Sequence, residues 1–390
     1  MLETNNERCQ NLTYYEYGYQ SGIMIKPLLK ILIKIFSKIY ENRSIKDQIK
    51  NNLYDLEYYT PGFITELQGL SESTNINIKE ILLSYNILKL SKNTSCTTSV
   101  VTKDATKKHN TYLIQNWDIP FYGKIHLLYL LFLYQRFKVC KIKNNNSYVF
   151  YGFPVLFELP IINEKGVCFG GNATLVTSDK KRYVDKGPGI PIYLLVRKTM
   201  RESDRISDVK NIWMNNLRSS NKSKYFPYFW DLASSSWADR YKNILIIEQS
   251  HNHIITVDNN NSEQFNGFKD VIWHTNHHKW LDPDVSGSEY PSIHTTSRIR
   301  NNRSYEYFKK HYGRIDLDTC KSFTRDHKYR FFNTYKNSNN ICRHVDPCNR
   351  HGTLFSYIVE PEKYLINFCP GIPCKTKYKK IDCKKLLKIK

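Results

Sequence analysis

No CxxC pair occurs anywhere in the 390 residues, although the chain has ten cysteines. That absence speaks against a zinc ribbon and against a thioredoxin-like redox site. The cysteines stand at 9, 96, 140, 168, 320, 342, 348, 369, 374 and 383. Their even number does not by itself argue for disulfides, and a reduced cytosolic chain fits as well. No apolar run approaches the roughly 18 residues that a membrane span needs. The opening MLETNNERCQNLTYYEYGYQ is polar and acidic where a secretory signal would be basic and then apolar. A soluble, cytoplasmic chain is expected. There is no internal repeat. Negative charge is the scarce sign: 36 Asp and Glu face 58 Lys and Arg, a net +22. Such a field attracts polyanions, so nucleic acid, anionic membrane and acidic substrates all enter as partner classes. The charge is spread along the chain and not gathered into one arm, in a sequence rich in Asn, Lys, Ile and Tyr. Compositional bias is the preferred reading.

What is present is ample core material, 41% hydrophobic and 14% aromatic, which excludes a wholly disordered chain. Residues 23–40 set Leu28, Leu29, Leu32, Ile35, Phe36 and Ile39 on one helical stripe, with Lys26, Lys30, Lys34 and Lys38 opposite. Such a helix can lie on a membrane surface, but burial in the protein's own core is the favoured expectation. Further helical patterns cover roughly 45–70 and the run after Asn75. After Cys96 the texture turns to short β-rich runs: TSVVT, TYLIQNW, YVFYGF and GVCFGGNATLV. Residues 190–216 read as helix, with Ser207 and Asp208 as breaker or cap. Strands return at NILIIEQ and HIITVD, a helical stretch at 300–335, and strands again at TLFSYIVEP and YLINFCP. Helices, strands, helices, strands is an α+β order, not a strictly alternating βαβ one. The Lys-rich end, residues 375–390, reads as a solvated tail.

One cysteine has a distinctive context. Cys96, in KNTSCTTSVV, opens the first strand of the β region among Ser and Thr neighbours. An exposed thiol there needs a base to become a nucleophile, whereas a buried one is usually inert packing. The next strand-like run ends Gln115-Asn116-Trp117-Asp118, and on adjacent antiparallel strands its carboxylate can lie near Cys96. His251, His253, His274, His277 and His278 lack a Cys or carboxylate set at ligand spacing, so no metal and no cofactor are expected. Cys369 and Cys374, around Pro-Gly-Ile-Pro, read as a turn. Trp117, Trp230, Trp237, Trp273 and Trp280 read as core or pocket walls. Gly170-Gly171 has no phosphate-loop continuation.

CTTSVV followed by LIQNWDIP resembles the acyl-CoA:isopenicillin N acyltransferase family, the C45 peptidase group of the N-terminal nucleophile hydrolases. The resemblance continues through TPGFITELQGLSESTNINIKEILLSYN, NEKGVCFGGNATLV, GIPIYLLVRKTMRE, VIWHTNHH and NICRH, and through NRHGTLFSYIVEPEKYLINFCPGIPCKTKY. It implies an α+β fold, the four-layer αββα sandwich of that superfamily. Residues 1–95 would be the helical α chain and 96–374 the β-rich catalytic portion of the same domain. By the same resemblance Cys96 is the nucleophile, freed as a new N-terminus by self-cleavage after Ser95. Asp118 supports its amino group, Asn276 of His-Thr-Asn-His stabilises the oxyanion, and Arg350 is an active-site arginine. Asn172 resembles a second oxyanion donor of the related choloylglycine hydrolases. Two departures stand out: Asn349 where the penicillin enzyme has serine, and Ser95 where it has glycine.

The expected function is amide hydrolysis or acyl transfer through a thioester at Cys96, on a small N-acyl amide or short peptide, with acyl-CoA as a candidate donor. No specific nucleic acid is expected as partner. The alternative is a catalytically inactive cationic binding protein on the same fold, against which the intact set Cys96, Asp118, Asn276 and Arg350 argues.

Overall fold

The computed structural model describes residues 12–40, 53–54, 56–84, 95–120, 135–173, 189–218, 232–250, 253–281, 295–328, 339–345 and 351–389. Helices α1 (Tyr14–Tyr40), α2 (Pro61–Thr74) and α3 (Ile78–Ser84) come first. Strands β1 (Ser95–Lys103), β2 (His109–Pro120), β3 (Phe137–Cys140), β4 (Tyr148–Phe153), β5 (Phe157–Asn163) and β6 (Cys168–Ala173) follow. Next are α4 (Ile192–Glu202), α5 (Ile206–Asn215), β7 (Leu232–Ala238), β8 (Ile244–Gln249), β9 (Ile254–Asp258), α6 (Ser262–Asn266) and β10 (Val271–His274). The chain closes with α7 (Thr295–His311), α8 (Leu317–Thr324), β11 (His351–Glu360), β12 (Leu365–Cys369), β13 (Lys379–Asp382) and α9 (Cys383–Leu387).

Two antiparallel sheets stack face to face. One has the strand order β10-β1-β2-β11-β12-β13 and the other runs β3 to β9 in sequence order. One apolar core joins α1, α2 and α4 to the second sheet and to the inner faces of β1 and β2, through Leu29, Leu67, Leu195, Val100 and Leu113. A separate core joins the outer face of the first sheet (Val101, Tyr112, Ile114, Ile358) to α7 and α8 (Phe308, Phe323). The order helix, sheet, sheet, helix is the four-layer αββα sandwich. Strand alternation builds it: successive residues of β2 point alternately between the sheets and toward α8. Strand β8 is buried on both faces, and its apolar run Ile244–Ile247 is followed by the buried polar pair Glu248 and Gln249.

The α1 stripe meets the core, with Ile25, Leu29 and Leu32 buried. The side chains of residues 35–40 lie outside the described residues. Close approach of α1 and α2 rests on glycine. A Cβ on Gly18 would sit 1.9 Å from the Glu66 carbonyl oxygen, and one on Gly69 2.1 Å from that of Tyr15. Helix α2 starts on Pro61 and ends at Asn75, whose left-handed φ of 56° lets its N–H cap the last turn. The contact is tied down by buried charge. Arg197 on α4 donates to Glu66 at 2.6 Å and to Glu158 at 3.0 Å, and Arg201 donates to Glu66 at 2.7 Å. Tyr17 of α1 donates to Glu158 at 2.7 Å, so one carboxylate of β5 ties together the two helices α1 and α4 that cover it.

The stretch 190–216, expected as one helix, is two, broken at 203–205. Asp208 acts as the cap, accepting from the backbone N–H of Asp204 and Arg205 at 2.9 and 3.1 Å. The helical stretch 300–335 divides into α7 and α8 at Gly313, whose φ is +76°. The Lys-rich end, read from sequence as a solvated tail, instead adds the edge strand β13 to β12 and the short helix α9. Cys383 and Leu387 are buried there: an i, i+4 apolar pair hidden among lysines suffices to dock it. Among the described residues no helix is long and apolar enough to cross a membrane.

Candidate active site

Strands β1 and β2 pair so that Ser95 faces Asp118 and Cys96 faces Trp117. Alternation then separates two surfaces. Cys96, Trp117 and the inner core share the inter-sheet side, while Asp118 turns toward β11 and α8. Cys96 lines a narrow pocket, partly open to solvent, whose walls include Trp117, Phe157, Leu159, Phe169, Tyr193 and Val196. The lining is apolar. Glu158 also borders it, but its carboxylate is bound by Tyr17, Tyr148, Arg197 and the Val155 N–H, so no unpaired charge faces a ligand.

The polar side of the site is built from distant segments. The Cys96 N–H donates to Asn276 Oδ1 at 2.9 Å. Arg300, on α7, donates from Nη2 to the same oxygen at 2.7 Å, and from Nη1 to the Cys96 carbonyl at 2.5 Å and Thr97 Oγ1 at 2.7 Å. Asn276 Nδ2 donates to the Ala173 carbonyl at 2.7 Å, so its amide is oriented at both ends. Ser297, one turn before Arg300, receives the Asn276 N–H at 2.8 Å. Asp118 accepts from Thr353 Oγ1 at 2.7 Å and faces Arg343 Nη1 at 3.8 Å. Thr353 takes Oδ1; Oδ2 is the oxygen that faces Arg343, and it has no hydrogen-bond donor among the described residues.

Charges follow from this burial. Desolvation first, and the Asp118 charge second, push the Cys96 thiol up to about 12. The backbone N–H groups of Asp118 and Ala173 and the Arg300 charge pull the other way. Burial raises Asp118 to about 6, a value that Arg343, Arg300 and Thr353 oppose without cancelling. Arg300 falls to about 10, chiefly by desolvation and then by the nearby Arg343, and stays a cation at neutral pH. In the uncut chain the thiol is therefore neutral and needs a base.

The Gln-Asn-Trp-Asp run explains itself residue by residue. Gln115 Oε1 accepts from the Gly171 N–H at 2.9 Å and Thr98 Oγ1 at 2.8 Å, and Nε2 donates to the Gly171 carbonyl at 3.1 Å, stitching the two sheets. A Cβ on Gly170 would lie 2.8 Å from Gln115 Oε1, so the glycine pair serves sheet approach. Asn116 Nδ2 donates to the carbonyls of Thr324 and Ile341, both at 2.9 Å. The His-Thr-Asn-His segment wraps Glu248 of β8. That carboxylate takes His274 Nε2 at 2.5 Å and the backbone N–H groups of Trp280 and Leu281 at 2.8 Å. Although burial pushes it up, the hydrogen bond and charge of His274, the charge of His278 and the Lys279 N–H hold Glu248 at about 2.

The structure thus brings Cys96, Asp118 and Asn276 together. Asn172 lies one residue from the pocket-lining Ala173. Its Nδ2 donates to the His274 carbonyl at 3.3 Å, and its Oδ1 accepts from Ser234 at 3.4 Å. Arg350, Asn349 and Trp230 lie outside the described residues, as does the side chain of Ser95. Sequence reasoning missed Arg300, Arg343, Thr353 and Ser297. Arg343 stood in the quoted NICRH segment, one signal that could have drawn attention to it; Arg300 sits in an Arg-rich helix with nothing local to mark it.

No protein-family model matches the chain, and no curated protein does. Among solved structures the chain is similar to conjugated bile acid hydrolase from Clostridium perfringens, in two variant forms. Each shows 14% identity over 74% of this chain and 93% of that one, with TM-score 0.42. It is also similar to penicillin V acylase from Agrobacterium tumefaciens, at 13% identity over 75% of this chain and 88% of that one, with TM-score 0.38. At such scores the functional reading rests on the site's own geometry.

Proposed function

We propose that this chain is a cysteine amidohydrolase or acyltransferase of the N-terminal nucleophile type. It cuts its own Ser95–Cys96 bond and then cleaves a small N-acyl amide or short peptide through a thioester at Cys96. The observation that carries this reading is the clasp on the backbone of one residue, Cys96, whose N–H and C=O belong to the two peptide units on either side of it. Asn276 holds the Cys96 nitrogen and Arg300 its carbonyl, while the thiol faces an apolar pocket. A packed structural cysteine has no need of a buried arginine and an oriented amide on its backbone.

In the first step the Cys96 sulfur attacks the Ser95 carbonyl carbon. The C–N bond breaks, the departing nitrogen takes the thiol proton, and water releases the Ser95 carboxylate from the thioester. The new α-amine, with a reference pKa near 8, is then a base within reach of its own thiol. Asp118 faces Ser95 across the strands, and its Oδ2, 3.8 Å from Arg343 Nη1 and without a hydrogen bond among the described residues, is suited to accept from that amine. In turnover the sulfur takes the acyl group, the amine leaves protonated, and water or an acyl acceptor resolves the thioester. The apolar walls, with Glu158 fully engaged, favour a neutral, aliphatic or aromatic acyl group.

Intact-mass analysis of the purified protein tests the reading. Scaling the 46.2 kDa chain at residue 95 leads to pieces of roughly 11 and 35 kDa, the larger starting at Cys96, and the Cys96→Ala form is expected to stay whole. A wild-type chain that remains single while hydrolysing N-acyl amides would sink the N-terminal amine mechanism.

A further inference from the structure

Beyond the active site, four side chains from three segments converge on one point. His327 follows α8, Cys342 and His344 stand in the 339–345 segment, and Cys374 lies between β12 and β13. Their donor atoms all lie within 4.8 Å of one another. His344 Nε2 is 2.9 Å from His327 Nε2, 3.2 Å from Cys374 Sγ and 3.8 Å from Cys342 Sγ.

We propose that His327, Cys342, His344 and Cys374 hold a structural zinc ion. Two sulfurs and two imidazole nitrogens are the soft and borderline donors that zinc takes in closed, four-coordinate sites. With Zn–S near 2.3 Å and Zn–N near 2.0 Å, tetrahedral geometry sets neighbouring donors roughly 3.3–3.8 Å apart. The three separations from His344 Nε2, 2.9, 3.2 and 3.8 Å, span that range. A Cys342–Cys374 disulfide would use both sulfurs but would not account for two Nε2 atoms aimed at the same point.

The protein positions these ligands independently of a metal. The Cys342 N–H donates to the Asp326 carbonyl at 3.2 Å, tying its strand of ligands to the turn that carries His327. Arg325 Nε donates to the Pro373 carbonyl at 3.0 Å and anchors the turn of Cys374 to the same helix end. Four protein donors leave no open position, so the ion's role is structural.

Its consequence lies next door. Arg343 sits between two of the ligands and pairs with Asp118; its carbonyl accepts from the Thr353 N–H at 3.0 Å, and its own N–H donates to Thr353 Oγ1 at 3.0 Å. The zinc would pin the 339–345 segment and so keep Arg343 on Asp118. No ligand spacing in the sequence announces this site, because its members are gathered by folding from 327 to 374.

The test is elemental analysis of the full-length, tag-free protein purified without chelator, with peptide mapping of its thiols. About one zinc per chain is expected, and Co²⁺ in its place should produce thiolate-to-cobalt charge-transfer bands and tetrahedral d–d bands. Cys374→Ser and His327→Ala should each weaken zinc affinity by about 100-fold or more, as judged by chelator competition, while His253→Ala leaves it unchanged. Less than about a tenth of an equivalent of zinc with no cobalt spectrum, or a mapped Cys342–Cys374 disulfide, overturns the proposal. Because wild-type protein supplies those readouts, a variant that fails to fold does not blunt the test. Neither does an inactive enzyme, since no reading depends on Cys96.

Discussion

At the scale of single residues, Asp118 shows how the site stores charge. It is fully buried between Thr353 and two arginines, yet its carboxyl is held near 6, above the ordinary 3.8. A folded-state pKa raised in this way favours the protonated form, so the contribution to stability is present below the unfolded value. It is lost as pH rises through about 6. The span corresponds to about 3 kcal/mol at most, since each pKa unit is worth about 1.4 kcal/mol. Thermal unfolding in a Cys96→Ala background, between pH 4 and 7, should show the parent gaining on its Asp118→Asn counterpart as pH falls. A gap constant across that range would contradict the assigned environment. Under the proposed mechanism, activity should run the other way, declining below about pH 6 as the carboxylate assigned there to the α-amine is neutralised.

At the scale of elements, the contact of α1, α2 and α4 with the second sheet depends on Arg197. Its guanidinium is buried between Glu66 and Glu158, which it joins at 2.6 and 3.0 Å. Such a network is weak as a net source of stability, but removing one member leaves charges stranded in the core. Arg197→Ala should therefore destabilise the fold by about 3–5 kcal/mol, more than a surface Lys198→Ala, as read from urea midpoints of the uncut Cys96→Ala protein. Equal midpoints for the two would show that the network carries little.

At the scale of the molecule, the proposed cut does not separate two domains. Tyr17 and Glu66 lie before residue 95 but are bound to Glu158, Arg197 and Arg201 after it. Leu29 and Leu67 share one core with Leu195 and Val100. The two cut chains should co-elute in gel filtration at native pH and part only in denaturant. Separation under native conditions would mean that the α1–α2 layer is held far less tightly than its burial implies.

The local pattern of residues was enough to mark much of this. Period-two runs named the strands on which Cys96 and Asp118 sit, and their succession set the two side by side, because antiparallel neighbours joined by a short turn pair by default. Helical spacing likewise marked the buried stripe of α1. What the sequence could not determine is which distant groups complete the site. Arg300 reaches the Cys96 carbonyl across 204 residues and Thr353 reaches Asp118 across 235. The lysine-rich end looked like a tail because its charge outweighs two small buried side chains, and only the vacant edge of β12 made it a strand. The four zinc-ligand candidates carry no mutual spacing rule. Propensity and periodicity describe which face a residue takes within its own element. Which faces meet is decided by how layers pack, and here that packing alone brings together the arginines, the oriented amide and the Cys/His cluster.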